Sequence, residues 1–106
     1  MQLSVVVPVL NEAGNIEPLL VEVQRVLDGR YDFEVLYVDD GSRDATASEL
    51  ETARRRHPWL RVVTHRRTCG QSAALRTGVM AARGRWIATL DGDVQNDPED
   101  IPRLLG

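Results

Sequence analysis

The chain has 106 residues, 42 % apolar and 27 % charged, with a formal net charge of -3. That length suits one small domain with a real but modest core, and the apolar share excludes a disordered chain. The acidic balance gives no support for nucleic-acid binding through bulk electrostatics. All thirteen basic residues are arginine, so any basic phosphate contact must come from a guanidinium, a bidentate donor. The single cysteine, Cys69, excludes an intramolecular disulfide and fits a reducing compartment. It is read as an ordinary small residue. No apolar run approaches the ~20 residues of a membrane span, and the N-terminus lacks the basic stretch of a signal peptide. The expectation is a soluble, cytoplasmic domain.

In chain order, Ser4-Val5-Val6-Val7-Pro8-Val9-Leu10 is continuously apolar and β-branched, as in a strand buried on both faces. Asn11 to Asn15 reads as a loop. Ile16, Leu19, Leu20, Val23 and Leu27 then recur at helical spacing, with Asn15 as expected N-cap and Pro18 in the first turn, where proline is tolerated. Asp28-Gly29 stops that helix. A second strand spans Phe33 to Val38 and runs into Asp39-Asp40-Gly41-Ser42. Asp44 is the expected cap of a second helix reaching about Arg55, with Leu50 and Ala53 inward and Pro58 beyond it.

Leu60 to His65 reads as a third short strand, and Gln71 to about Ala82 as a third helix with small Ala73, Ala74 and Ala81 against a sheet. Trp86 to Leu90 reads as a buried fourth strand, and Pro98 to Leu105 as a last short helix capped by Asp97. Trp59 and Trp86 are expected in or at the edge of the core. The alternation β-α-β-α-β-α-β-α predicts a Rossmann-like α/β fold, a parallel sheet flanked by helices with right-handed crossovers. Ligands of such sheets bind beyond the carboxyl ends of the strands. Three polar segments sit there: Asn11-Glu12, Asp39-Asp40-Gly41-Ser42 and Asp91-Gly92-Asp93.

Asp91 and Asp93 stand two apart, so in an extended chain they point the same way. Two carboxylates that close repel unless a cation lies between them. Oxygen ligands favour Mg²⁺ or Mn²⁺, ions that commonly meet substrate phosphates. A carboxylate at the 39–40 strand end can accept a nucleobase N–H or a ribose hydroxyl. Gly70-Gln71-Ser72 opens a helix whose free N–H groups suit an anion, and Arg76 lies a turn inside it. Neither a Walker loop nor a Gly-x-Gly-x-x-Gly fingerprint is present, which argues against a dinucleotide-binding domain. The Arg54-Arg55-Arg56 run suits a helix end. His57 and His65 have no partner at ligand or dyad spacing and carry no assigned role.

Four segments resemble the family 2 glycosyltransferases of GT-A fold. They are Val6-Val7-Pro8-Val9-Leu10-Asn11-Glu12, Val38 to Thr46, Gly70 to Gly78, and Leu90 to Glu99. The last, Asp-x-Asp-x-Gln-x-x-Pro-Glu, is most similar to the polyprenyl-phosphate branch, which includes dolichol-phosphate mannosyltransferases. The resemblance implies an inverting transfer from a nucleotide-diphospho-sugar, a UDP- or GDP-sugar, to a lipid phosphate or glycan. It places Pro8, Asn11 and Glu12 around the nucleoside, Asp40 facing the base with Asp39 beside it, and Asp91 by ribose and metal. Asp93 and Gln95 would complete the divalent-cation site. Asp97-Pro98-Glu99 departs slightly from the family's usual Pro-Pro-Glu ending.

Members of the family carry a second half beyond this point, supplying the acceptor side, and often transmembrane helices. The expectation is therefore a single domain over residues 1–106 that forms the donor-binding half of such an enzyme. In its full-length form that enzyme would work at the inner face of the membrane. No general base is identifiable. The sheet edge awaiting later strands is expected to favour self-association. The alternative is a non-catalytic nucleotide-binding module of the same fold.

Overall fold

The computed structural model describes residues 1–90; Asp91, Asp93, Gln95 and the expected helix from Pro98 lie outside the described residues. Four strands, β1 (Leu3–Val9), β2 (Phe33–Asp39), β3 (Leu60–Thr64) and β4 (Trp86–Thr89), alternate with helices α1 (Ile16–Leu27), α2 (Thr46–Arg56) and α3 (Gln71–Ala81). All strand pairs are parallel, in the order β3-β2-β1-β4. The chain steps outward from β1 through β2 to β3, then returns across the sheet to place β4 on the other side of β1. The switch point of strand order therefore lies between β1 and β4, at the carboxyl edge that carries Asn11 and Asp39.

Residue alternation explains why β1 and β2 are apolar throughout. Val5, Val7, Val9, Val35 and Tyr37 join Ile16, Leu19, Leu20, Val23 and Leu27 of α1 and Leu50 and Ala53 of α2 in one cluster. Val6 and Val38 face the other way, toward α3. Each fully buried Leu or Val contributes about 1.5–3 kcal/mol. On the α3 side the fit is close because Ala74 and Gly78, rather than Ala73 and Ala81, meet the sheet. A Cβ at Gly78 would collide with Val6 Cγ1.

At the edge of the sheet opposite the switch point, a polar network ties β1, β2, β3 and the α3–β4 turn together. Glu34, 2 % exposed, accepts the Ser4 hydroxyl, the Arg83 N–H at 2.8 Å and Arg61 Nη1 at 2.8 Å. Gly84 N–H in turn donates to Ser4 Oγ at 2.7 Å.

Two expectations are corrected. β4 is an edge strand paired only with β1 among the described residues, and Trp86 and Ile87 stay 60 % and 43 % exposed. Its apolar run is that of a strand with one described neighbour, so neither face is covered as β1's faces are. Trp59 does pack on the core, against Phe33 at 5.3 Å between ring centroids and beside His57 at 4.6 Å. The helix caps also differ in detail. Asn15 occupies the α1 N-cap, but its amide bonds Glu12 Oε2 at 2.9 Å instead of the helix backbone. Asp44 stands one residue before the α2 N-cap, Ala45, and accepts the Thr46 N–H at 2.9 Å.

Candidate functional site

Asp39 and Asp40 leave the end of β2 in opposite directions, because successive side chains of an extended chain alternate. Both are buried, at 1 % and 3 % exposure. Asp39 Oδ1 accepts the Ser42 N–H at 3.0 Å, which makes the tight turn after the strand. Its Oδ2 is buried with no hydrogen-bond partner among the described residues. An orphaned buried carboxylate oxygen is costly and calls for a donor. Asp39 lines a cleft of ≈ 550 Å³, with Gly41, Ser42, Arg43, His65, Arg66, Arg67 and Thr68 among its other walls. That volume lies within the usual range for small-molecule sites, roughly 300–1,000 Å³.

Asp40 turns away from the cleft. Its Oδ1 accepts Cys69 N–H at 2.8 Å and lies 2.8 Å from His65 Nδ1, while its Oδ2 accepts Gly70 N–H at 2.9 Å. Burial alone would raise its pKa; the Cys69 N–H, His65 and the Gly70 N–H outweigh it and hold the carboxyl below its ordinary value. The Asp40 carboxylate, expected to face a base, is hydrogen-bonded here to His65 and to the loop before α3. Asp40 thus accepts the two N–H groups that precede the first turn of α3. His65 and His57, read as isolated, both have partners. His65 bridges Asp40 and Thr77, and His57 Nε2 lies 3.0 Å from Glu17 across α1 and α2. The Asp40 and Glu17 pairings join residues 25 and 40 positions apart, so no local spacing could announce them.

The loop after β1 is held from outside. Its backbone N–H groups donate in succession to side chains of the next βα connection. Asn11 bonds Ser42 Oγ, Glu12 bonds Thr46 Oγ1, Ala13 bonds Asp44 Oδ2 and Gly14 bonds the Glu49 carboxylate, at 2.9 to 3.3 Å. Asn11, at φ 54°, accepts the Arg43 N–H at its Oδ1, at 2.9 Å. Asn11 thus abuts the cleft through Ser42 and Arg43, and Pro8, Asn11 and Glu12 are not among its walls. Arg76 is exposed on α3 and does not line it either. Gly41 is required where the two loops touch: at φ 76°, a Cβ there would stand 2.7 Å from Arg67 C and Thr68 N. Leu90 N–H donates to Val6 O at 3.0 Å, so β4 runs out at the same edge as the cleft.

A parallel sheet flanked by helices, with a polar cleft beyond the exits of β2 and β3, is a Rossmann-like α/β architecture. The chain belongs to glycosyl transferase family 2, whose family model matches residues 4–106. It is 43 % identical over 107 residues to the dodecaprenyl-phosphate galacturonate synthase of Rhizobium johnstonii, covering 99 % of this chain and 32 % of that one. It is 42 % identical over 105 residues to an undecaprenyl-phosphate 4-deoxy-4-formamido-L-arabinose transferase of Pseudomonas fluorescens, covering 96 % and 31 %. The chain therefore spans about a third of the length of these curated relatives.

Among solved structures, S. aureus TarS 1-349 in complex with UDP-GlcNAc superposes with a TM-score of 0.83 at 26 % identity, covering 99 % of this chain and 30 % of that one. The mannosyltransferase PcManGT of Pyrobaculum calidifontis, in complex with GDP-Man and Mn²⁺, gives 0.79 at 32 % identity, covering 87 % and 27 %. The four-stranded parallel sheet with its helices is the N-terminal part of the GT-A fold. No helix among the described residues is long and apolar enough to cross a membrane.

Proposed function

We propose that residues 1–106 form the donor-nucleotide half of a glycosyltransferase that moves a sugar from a UDP- or GDP-sugar to a polyprenyl phosphate. The observation that carries this reading is Asp39, a wall of the cleft whose buried Oδ2 has no hydrogen-bond partner among the described residues. Uracil and guanine both present a ring N–H beside a carbonyl, and a fixed carboxylate oxygen is the complement of that N–H. Asp39 thus takes the base, and Asp40 shapes the wall behind it. Arg43, Arg66 and Arg67 give the rim a positive field for the phosphates. Pro8, Asn11 and Glu12 close the nucleoside side, with the Asn11 loop held by Ser42, Thr46, Asp44 and Glu49.

Asp91, Asp93 and Gln95 form an all-oxygen donor set that fits Mg²⁺ or Mn²⁺. Support comes from the Mn²⁺ in the PcManGT complex. When bound, the ion offsets charge developing on the departing diphosphate. A phosphate acceptor is already anionic near neutral pH, so it needs little general-base help. Its oxygen attacks the anomeric carbon opposite the diphosphate, the bond to the diphosphate breaks, and configuration inverts. Support for the acceptor comes from the two relatives named for polyprenyl-phosphate sugars. A lipid acceptor sets the work at the cytoplasmic face of the membrane. The test is lipid-linked sugar formation by the full-length protein from UDP- and GDP-sugars with undecaprenyl phosphate and Mn²⁺. Product lost in Asp93→Ala supports the reading. Donor binding with no product under any acceptor would leave a nucleotide-binding module.

A further inference from the structure

Asp40, His65 and Cys69 bring a carboxylate oxygen, an imidazole nitrogen and a thiol sulfur within 4.8 Å of one another. They come from the exit of β2, the exit of β3 and the turn into α3. The hydrogen bonds around them decide what belongs between them. The Thr77 hydroxyl donates to Ala73 O at 3.0 Å, which commits its one proton. His65 Nε2 lies 2.8 Å from the same hydroxyl oxygen, so Nε2 is the donor there. In a neutral imidazole, Nδ1 is then a bare lone pair. It faces Asp40 Oδ1 at 2.8 Å, an oxygen whose carboxylate already accepts two backbone N–H groups. Two acceptors that close repel unless a cation joins them, either a proton or a metal ion.

We propose that Asp40 Oδ1, His65 Nδ1 and Cys69 Sγ form a binding site for a borderline-soft divalent cation of the Zn²⁺ class. A thiol with an imidazole selects zinc over Mg²⁺, Mn²⁺ or Ca²⁺, so this set differs in chemistry from Asp91, Asp93 and Gln95. Three protein ligands leave a fourth position for water, the usual tetrahedral arrangement of an open zinc site. Bonds of about 2.0 Å to nitrogen and oxygen and about 2.3 Å to sulfur need ligand atoms about 3–4 Å apart. Cys69 is exposed, and its thiol makes only a 3.3 Å contact to Arg67 O, so rotation of that side chain closes the remaining gap.

The Nε2–H to Thr77 bond is the outer contact that orients a ligating histidine. Coordination releases the thiol proton to solvent, and carboxylate plus thiolate neutralise the ion. His65, Arg66, Arg67 and Thr68 line the cleft, so the bound cation stiffens that wall.

Cobalt(II) titration of the chain tests this. Cys69 is the single cysteine, so a thiolate-to-cobalt charge-transfer band in the near ultraviolet can arise only there. The expected result is a one-to-one band that Zn²⁺ displaces. It should be absent in Cys69→Ser, weakened at least tenfold in His65→Gln, and retained in Asp93→Ala. Thermal melts confirm that each variant is folded, and Cys69→Ser alters only an exposed side chain. Absence of the band at saturating Co²⁺ overturns the proposal, as does a band that survives His65→Gln. Nitrogen-15 spectra that show His65 still protonated at Nδ1 with Zn²⁺ present overturn it too.

Discussion

Asp39 and Asp40 show how one residue step divides two jobs. Asp39, on the α1–α2 side of β2, lines the cleft and keeps one buried carboxylate oxygen without a partner among the described residues, and its neighbour is hydrogen-bonded to the loop before α3. Asp39→Asn keeps an acceptor for Ser42 N–H but sets an amide N–H against the base. Nucleotide affinity is expected to fall at least tenfold, about 1.4 kcal/mol, with the melting temperature held; calorimetry and a thermal melt check both. Tyr37 poses the opposite case. Its hydroxyl is buried without a partner among the described residues, and burial, followed by the charges of Glu17 and Glu12, pushes its pKa up. Tyr37→Phe removes an unpaired polar group, so denaturant unfolding is expected to show no loss, and a gain of up to about 1 kcal/mol. That both aspartates sit at a strand end is readable from sequence. Which of them lines the cleft depends on His65, Cys69 and Gly70, some 25 to 30 residues on, and no local pattern encodes that contact.

At the scale of elements, periodicity carries most of the information. Continuous Val runs mark β1 and β2 as covered on both faces, and the α1 stripe appears where its spacing places it. The reading fails at β4, because the composition of a strand does not tell how many neighbours it has. α3 lies against Val6 and Val38 through Gly78. Gly78→Ala gains helix propensity, about 1 kcal/mol, but drives a methyl into Val6. Overpacking of this kind costs about 1–3 kcal/mol, so urea unfolding is expected to show net destabilisation. The Glu34 network lies far along the strands from the cleft. Glu34→Ala strands Arg61 and the Arg83 N–H, at a cost of about 3 kcal/mol. Unfolding should register that cost while nucleotide affinity of the folded protein stays unchanged.

For the whole molecule, acid sensitivity follows from two of the buried carboxylates, Glu34 and Asp40. Burial opposes the ionised form of Glu34, but Ser4, Arg61 and Arg83 N–H outweigh it, and Asp40 is held down in the same way. A carboxylate with a depressed folded-state pKa contributes stability above its unfolded value and loses it as pH falls through the folded one. The denaturation midpoint is therefore expected to drop as pH falls below the ordinary values of 4.5 and 3.8, and Glu34→Gln should flatten part of that slope. An unchanged midpoint down to pH 3 would contradict it. The β4 edge, with exposed Trp86 and Ile87, is expected to draw a second copy at high concentration, and Ile87→Lys should weaken that association in sedimentation runs. The central claim is that the cleft between the β2 and β3 exits takes a nucleoside diphosphate through Asp39. The most direct measurement is calorimetric titration with UDP and GDP, each with Mn²⁺ and with EDTA, on the native chain and on Asp39→Asn. The account predicts Mn²⁺-dependent binding of one nucleotide, weakened at least tenfold by the substitution. Binding that Asp39→Asn leaves untouched, or no binding of either nucleotide by the folded chain, would contradict it.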